Sequence, residues 1–254
     1  MTAPLAFLDD FRDAVDFILH ERESVAGTVM VGGDELIGLT LKHTGLSLAA
    51  VGIACLLSIP LGLWLGHLRR GEFLAINISN VGRAVPSLAL LAFFIAYLGV
   101  GFLNVLVVLL LLAIPPVLTN AYVGARQVDP DAVDAARGMG MSDAEIVRKV
   151  ELPLAIPTLF GGIRIAAVNV FATATIAPLA SVDTLGRPII SANVYGAEGR
   201  LAAAILVALL TLAAYWGLGL VQRALTSKGI RLAAAGDPRG RTISFPLRRR
   251  PRPT

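Results

Sequence analysis

Cysteine, histidine and charge are all scarce in this chain of 254 residues. Its single cysteine, Cys55, has no second cysteine with which to form an internal disulfide. The three histidines are scattered along the sequence and predict no metal site. Charged residues make up 16% of the chain, against about 25% in a typical soluble domain. This shortage of charge points away from a soluble protein.

Nucleotide-binding and catalytic motifs are also missing. No G-x-x-x-x-G-K-[ST] occurs, so the chain does not cradle ATP phosphates by that route. The apolar segments hold no Ser/His/Asp or paired-carboxylate arrangement, and no acid lies between Glu72 and Asp129 or between Glu151 and Asp183. A membrane enzyme or a proton-coupled carrier would place ionisable groups there. We therefore predict a protein that is not an enzyme and that needs no cofactor and no metal.

Long apolar runs are what the sequence has in abundance. Residues 44–66, 84–125 and 201–222 carry no charge at all. Because about 20 apolar helical residues cross a bilayer core of about 30 Å, these runs predict an all-α integral membrane protein. As one helix, the run 84–125 would be about 63 Å long, which is twice that thickness. We expect it to break at Gly99-Val100-Gly101.

Five transmembrane helices follow from this division. The piece before the break is too short alone, so its helix must begin near Phe73 and contain Arg83. Arg164 is embedded between apolar stretches in the same way. The predicted spans are 38–66, 73–98, 102–125, 155–180 and 201–223.

The basic residues predict the orientation of these spans. The loops 67–72 and 126–153, with the tail from residue 223, hold fifteen Lys and Arg, and the other side of the membrane holds five. The positive-inside rule then places the N-terminus outside and the C-terminus in the cytoplasm of a multi-pass cell-membrane protein. The pI of about 9.6 reflects these loops and does not predict a nucleic-acid partner.

Three regions are predicted. Residues 1–35 form an extracytoplasmic amphipathic segment, whose helix lies on the membrane surface or packs on the protein itself. Residues 36–225 form the transmembrane domain. Residues 226–254 form a basic, disordered cytoplasmic tail that contacts anionic membrane lipid.

A charged segment interrupts the apolar sequence at residues 129–153. Asp129-Pro130 is typical of a helix start, with the acid at the N-cap and proline at the first helical position. Gly138 and Gly140 predict the end of this helix.

A second short helix is predicted directly afterwards. Ser142 and Glu145 have the S-x-x-E spacing of a capping box, and we expect Pro153 to end the helix. Two capped helices around a glycine turn form a rigid protrusion on the cytoplasmic face. Such a protrusion favours contact with a soluble partner over an inert connection, because connecting loops are usually short.

The stretch "DAARGMGMSDAEIVRKVELP" resembles the EAA loop of ABC-importer permeases. The resemblance implies a type I importer-like fold in which this loop is the coupling helix that docks on a separate pair of ATP-binding cassette subunits. The residues that match the motif are Asp134, Ala135, Ala136, Gly140, Leu152 and Pro153. Asp134 stands where the motif has Glu.

Other stretches resemble the osmoprotectant branch of these permeases, which takes up glycine betaine, carnitine or choline. They are "RAVPSLALLAF" at 83–93, "GGIR" at 161–164 and "ATATIA" at 172–177. The resemblance implies a second permease copy or paralogue and an extracytoplasmic substrate-binding protein. A departure is "SVDTLGRP" at 181–188, where the branch often has a glycine-rich turn. A permease for methionine or another amino acid is the chief alternative, ahead of an intramembrane enzyme or a structural membrane protein.

Polar residues inside the spans are candidates for the translocation path. They either line the path or form hydrogen bonds between helices. Arg83 and Arg164 either act in gating or extend their side chains to the membrane surface. The candidate path residues are Ser87, Asn120, Asn169, Thr173 and Thr175.

Overall fold

The computed structural model describes residues 3–71, 86–227 and 229, and within them the chain is almost entirely helical. In chain order the elements are α1 (Ala3–Leu19), β1 (Glu21–Glu23), β2 (Met30–Gly32), α2 (Gly33–His67), α3 (Ser87–Leu98), α4 (Phe102–Arg126), α5 (Pro130–Gly138), α6 (Asp143–Ile146), a π-helical turn (Val147–Glu151), α7 (Leu152–Thr173), a 3-10 segment (Ala174–Ala180), α8 (Gly186–Ile190) and α9 (Ala192–Leu225).

Four helices in the described residues are long and apolar enough to cross a membrane. They are α2, α4, the continuous helical stretch Asp143–Ala180 and α9. The predicted break at residues 99–101 is confirmed, because α3 ends at Leu98 and α4 begins at Phe102. Of the predicted span 73–98 only the part from residue 86 is described, and Arg83 lies outside the described residues. The predicted tail, apart from residues 226, 227 and 229, lies outside them too.

The core lies where α2, α4 and α7 pack together. Small side chains dominate the buried contacts, as is usual between membrane helices, because they let two backbones approach closely. Ala50 and Ala54 of α2, Ala121 of α4 and Ala155 and Ala166 of α7 are all fully buried. In contrast, α9 keeps much of its surface exposed, with Leu209, Trp216 and Leu220 among its uncovered side chains.

The N-terminal segment packs on the protein by one face only. Ala14 and Phe17 of α1 are buried in a cluster with Tyr195 and Ala202 of α9. The stripe Phe11, Val15 and Leu19, spaced four residues apart, stays exposed. The helix therefore packs on the protein itself, which is one of the two predicted arrangements. It also leaves an apolar face uncovered, which the other arrangement, a helix on the membrane surface, requires.

A two-stranded antiparallel hairpin follows α1, with Arg22 paired to Val31. The sequence predicts no strand here, and strands of three residues carry too little alternation to be recognised. This hairpin and residues 181–191 mark one end of the spans, which we call the hairpin end. Residues 68–71 and 127–151 lie at the other end, which we call the loop end.

The prediction that Pro153 ends the second short helix is wrong. The helix runs on from Asp143 to Ala180, and Val147–Glu151 forms a π turn just before the proline. Proline cannot donate to the carbonyl four residues earlier, and its ring crowds that carbonyl. The wider π turn relieves this conflict: the Leu152 N–H donates to the Val147 carbonyl, five residues back. The fourth span is thus continuous with the charged segment.

Candidate functional site

The charged segment, residues 129–153, is built as two capped helices. The Asp129 carboxylate accepts the Asp131 N–H at 3.0 Å, and Pro130 occupies the first turn of α5. Gly140 follows the helix with φ of +83°, a left-handed conformation that glycine adopts freely and most other residues resist. The Met141 N–H then donates to the Ala136 carbonyl and closes the turn. The predicted start and the glycine turn of this segment are confirmed.

The capping box of α6 is also present. The Ser142 backbone N–H donates to the Glu145 carboxylate at 3.1 Å, and the Ser142 hydroxyl donates to it at 3.0 Å. Lys149 donates to the other oxygen of Glu145 at 2.8 Å. These contacts, led by the one from Lys149, lower the pKa of the Glu145 carboxyl to about 2. The carboxylate is therefore ionised at neutral pH, and its hydrogen bonds to Ser142 and Lys149 stabilise the start of α6.

The residues that match the EAA motif divide into two sets. Asp134, Ala135 and Gly140 are exposed, so another molecule can contact them. Ala136 is buried beneath them, and Leu152 is partly buried against the helical core. The structure therefore brings the first set to the surface, whereas the second set fixes the segment on the rest of the protein.

A buried histidine joins this segment to α2, and the sequence prediction missed it. His67, the last residue of α2, has a side chain only 4% exposed. Its Nδ1 lies 2.9 Å from Glu151 Oε1, and its Nε2 lies 3.3 Å from Asp143 Oδ1. In the sequence His67 looks like a polar residue at the end of a span. The acids of the charged segment, far along the chain, gave no signal that they would meet it.

Arg137 extends the same cluster towards the surface. Its guanidinium lies 3.3 Å from Asp143 and 3.5 Å from Asp134. Hydrogen bonds from Arg137 and then from His67 lower the pKa of the Asp143 carboxyl. A cavity of about 390 Å³ opens beside the cluster, between the ends of α2 and α4 and the helix α5. Its lining includes His67, Glu151, Asp134, Arg137, Arg69 and Arg126.

The five candidate path residues lie on α3, α4, α7 and the 3-10 segment. Asn120 donates to the Pro116 carbonyl at 2.8 Å, within its own helix, and Thr175 donates to the Ala172 carbonyl at 2.7 Å. Ser87 and Thr173 are half-buried. Asn169 is exposed on α7. None of the five lines the cavity at the loop end.

Arg164 ties two spans together. Its guanidinium donates to the Gln222 side chain of α9 and lies 5.3 Å from the centre of the Tyr215 ring. An arginine over an aromatic face is stabilised by a cation–π interaction. The side chain is thus occupied between α7 and α9 in this conformation.

The loop 181–188 is firmly held despite its departure from the glycine-rich pattern. The Thr184 hydroxyl, fully buried, donates to the Ala174 carbonyl at 2.8 Å and accepts the Gly186 N–H at 3.2 Å. Asp183 binds Lys42 and Arg187, each at 3.1 Å. Asp183 and Thr184 therefore fix this turn with contacts of their own.

Together these features define a helical multi-pass membrane protein with a rigid charged protrusion at one end of its spans, which is the build of an importer permease. The chain belongs to the family described as binding-protein-dependent transport system inner membrane component, whose model matches residues 58–227. The helix α1 and the hairpin lie before the matched region.

Curated relatives fall in one group of transporters. The chain is 37% identical to the choline transport system permease protein OpuBB of Bacillus subtilis over 204 residues, covering 80% of this chain and 94% of the relative. It is also 37% identical to the carnitine transport permease protein OpuCB of Listeria monocytogenes over 205 residues, with the same shares covered.

Among solved structures, the fold is similar to that of a chain of the MetNI methionine ABC transporter in an inward-facing conformation. The TM-score is 0.66 at 21% identity, and the match covers 76% of this chain and 96% of the other. At this identity the likeness concerns the fold, and the predicted importer-like architecture is confirmed.

Proposed function

We propose that this chain is the membrane permease of an ATP-driven importer for a small compatible solute such as choline, carnitine or glycine betaine. The observation that carries the proposal is the similarity to choline and carnitine permeases, which extends over 94% of each relative. The likeness to a methionine transporter concerns the fold alone and does not favour an amino acid.

In this proposal the charged segment docks on a separate ATPase subunit. Its exposed face presents Asp134, Ala135 and Gly140 on a protrusion that is capped at both helices. Helical backbone continues from α6 through the π turn to Ala180. A displacement of the segment would therefore reach the fourth span directly, because no loop separates the two.

The solute would pass between this chain and a second permease, either a copy or a paralogue. The exposed amide of Asn169 supports this, because a polar side chain on a span needs a partner or a water-filled path. No acidic residue lies in α3 or α4 or along α7. A zwitterion such as betaine needs less compensating charge there than a plain cation such as choline does.

The proposed orientation follows the count of basic residues. The loop end faces the cytoplasm and the ATPase, and the hairpin end faces an extracytoplasmic substrate-binding protein. The basic tail adds contact with anionic lipid.

Uptake measurements test the function. Cells with and without the gene are grown at high salt, and the uptake of labelled choline, carnitine, glycine betaine and methionine is compared. We expect the gene to be required for at least one of the first three and to leave methionine uptake unchanged. Loss of methionine uptake alone would overturn the proposed solute class and leave an importer with another cargo.

A further inference from the structure

We propose that His67 is a positioning residue that ties the cytoplasmic end of α2 to the charged segment, so that the first span and the docking segment move as one body. The inference rests on the proposed coupling of this segment to an ATPase. His67 lies outside the EAA motif, so this link between α2 and the charged segment is additional to the residues of that motif.

The geometry shows a bridge with two ends. One ring nitrogen of His67 meets Glu151 in the π turn at 2.9 Å, and the other meets Asp143 in the first turn of α6 at 3.3 Å. The ring also stacks on Trp64 one turn earlier in α2, with 5.9 Å between the ring centres. One side chain thus fixes the beginning of α6 and the end of the π turn relative to α2.

The energetic importance of the bridge comes from Glu151. Its carboxylate is 4% exposed, and His67 is its partner at Oε1. Its other oxygen, Oε2, is buried and has no hydrogen-bond partner among the described residues. Removing one partner of a buried pair leaves an uncompensated charge, which costs far more than the pair itself contributes. The position of the π turn therefore depends on His67.

The chemistry of the ring suits a bridge between two acids. Each ring nitrogen faces a carboxylate oxygen, and both can donate a hydrogen bond only when the imidazole is doubly protonated. The neutral ring would turn a lone pair towards one of the two acids. The charged groups around it are Asp143 and Glu151 in direct contact, Arg137 behind Asp143, and Arg69, Arg126 and Asp134 along the shared cavity.

Hydrogen exchange measures the link in the full-length permease, and transport is measured in the complex with its ATPase. In His67→Ala we expect the protection factors of residues 143–152 to fall by at least about tenfold, because this part would open locally. The number of solute molecules moved per ATP should fall by about 2- to 30-fold, the range of coupling energies found in packed networks. Both effects should be partly reversed in His67→Ala/Glu151→Gln, in which no charge is left buried.

A conservative variant separates positioning from simple packing. His67→Lys keeps a donor near Glu151 and Asp143 without the imidazole ring, and it should restore part of the protection that His67→Ala loses. The matched control is His20→Ala, which breaks an exposed histidine contact with Asp16 at the hairpin end and should change neither quantity.

Several outcomes overturn the proposal. A His67→Ala protein with wild-type protection in residues 143–152 does so, and so does a His67→Ala/Glu151→Gln protein that recovers none of the lost protection. If His67→Ala fails to assemble, the double variant carries the test, and its failure to assemble also counts against the proposal. Exchange in this segment does not depend on the solute or on turnover, so these results stand even if the proposed function is wrong.

Discussion

The two ends of the membrane-spanning bundle are held by different kinds of contact. At the loop end, His67 and Glu151 form a pair in which each side chain is 4% exposed. At the hairpin end, Lys42 and Asp183 pair at the surface, with side chains 59% and 41% exposed. A histidine–carboxylate contact is thus buried at one end, and a lysine–carboxylate pair is exposed to solvent at the other.

Packing and backbone hydrogen bonds hold the hairpin end instead. Thr184 and Leu185 are fully buried, and Phe17 packs in the same cluster as Leu185 and Tyr195. Surface ion pairs contribute about 0–1 kcal/mol, whereas breaking a buried pair costs about 3–5 kcal/mol. Removing one charged or polar partner should therefore matter most at the loop end, and a change of side-chain volume should matter most at the hairpin end. The proposed ATPase would bind at the loop end.

The largest expected effect concerns which side of the membrane each end of the bundle faces, because a residue is labelled either from outside or not at all. In a Cys55→Ser background, we expect Asp10→Cys to react with an impermeant thiol reagent added outside intact cells, and Arg241→Cys to react only after the membrane is opened. The reason is the excess of basic residues in the loops at the loop end and in the tail. The reverse labelling pattern would move the buried charge pair to the outside and remove its link to an ATPase.

A methyl group at Gly186 should have the largest effect on assembly. A Cβ there would overlap the Thr175 carbonyl group, which is backbone and cannot turn away. We expect Gly186→Ala to cost at least roughly 3 kcal/mol, at the upper end of the range for overpacking, and to lower the amount of folded protein in the membrane. The measurement is fluorescence-detected size-exclusion chromatography of detergent extracts.

The control for this change is Gly217→Ala. Gly217 lies within α9, and a Cβ there would have nothing within 4 Å. It should leave the amount of folded protein unchanged or raise it slightly, since alanine favours a helix by about 1 kcal/mol. Equal behaviour of the two variants would show that packing does not hold the hairpin end.

Gly140→Val should have a smaller effect on folding and a large one on transport. Gly140 has φ of +83° and open space around it, so valine would meet backbone strain of about 1–3 kcal/mol without a clash. We expect normal assembly, at least a tenfold loss of uptake, and an ATPase rate that no longer responds to solute. Gly140→Asn is the matched variant, because asparagine tolerates this conformation, and it should keep most of the uptake. Full uptake in Gly140→Val would refute the docking role.

Much of the loop end could be predicted from the sequence, because its signals are local. The N-cap Asp129, the turn at Gly140 and the Ser142–Glu145 capping box each depend on residues within four positions of one another. Hydrophobic run length likewise predicts the spans, and the break after Leu98 follows from glycine alone.

The remaining features depend on contacts between distant parts of the chain. His67 meets Glu151, which is 84 residues away, and no spacing rule connects them. Pro153 was predicted to end a helix from local preference, but the π turn absorbs it while the apolar face of α7 packs into the core. Tertiary packing overrides local propensity at both points.

The smallest effect is expected from Lys42→Ala at the hairpin end. The Asp183 carboxylate keeps its contact with Arg187 at 3.1 Å, so no charge is stranded, and the loss should be about 0–1 kcal/mol. The hydrogen bond from Lys42 is the leading cause that lowers the pKa of Asp183. A lowered pKa means that the contact stabilises the fold above the ordinary carboxyl pKa of about 3.9, and that the benefit is lost as the pH falls through the lowered value.

Thermal unfolding of the purified chain at several pH values should therefore show a slightly lower Tm for Lys42→Ala at pH 7. The difference should shrink at low pH, and also in 1 M salt, where exposed charges are screened within about 3 Å. A drop in Tm at pH 7 as large as that caused by Gly186→Ala would contradict the comparison. It would mean that ionic contacts stabilise both ends of the bundle, and that the burial of a contact does not determine how much stability is lost when it is removed.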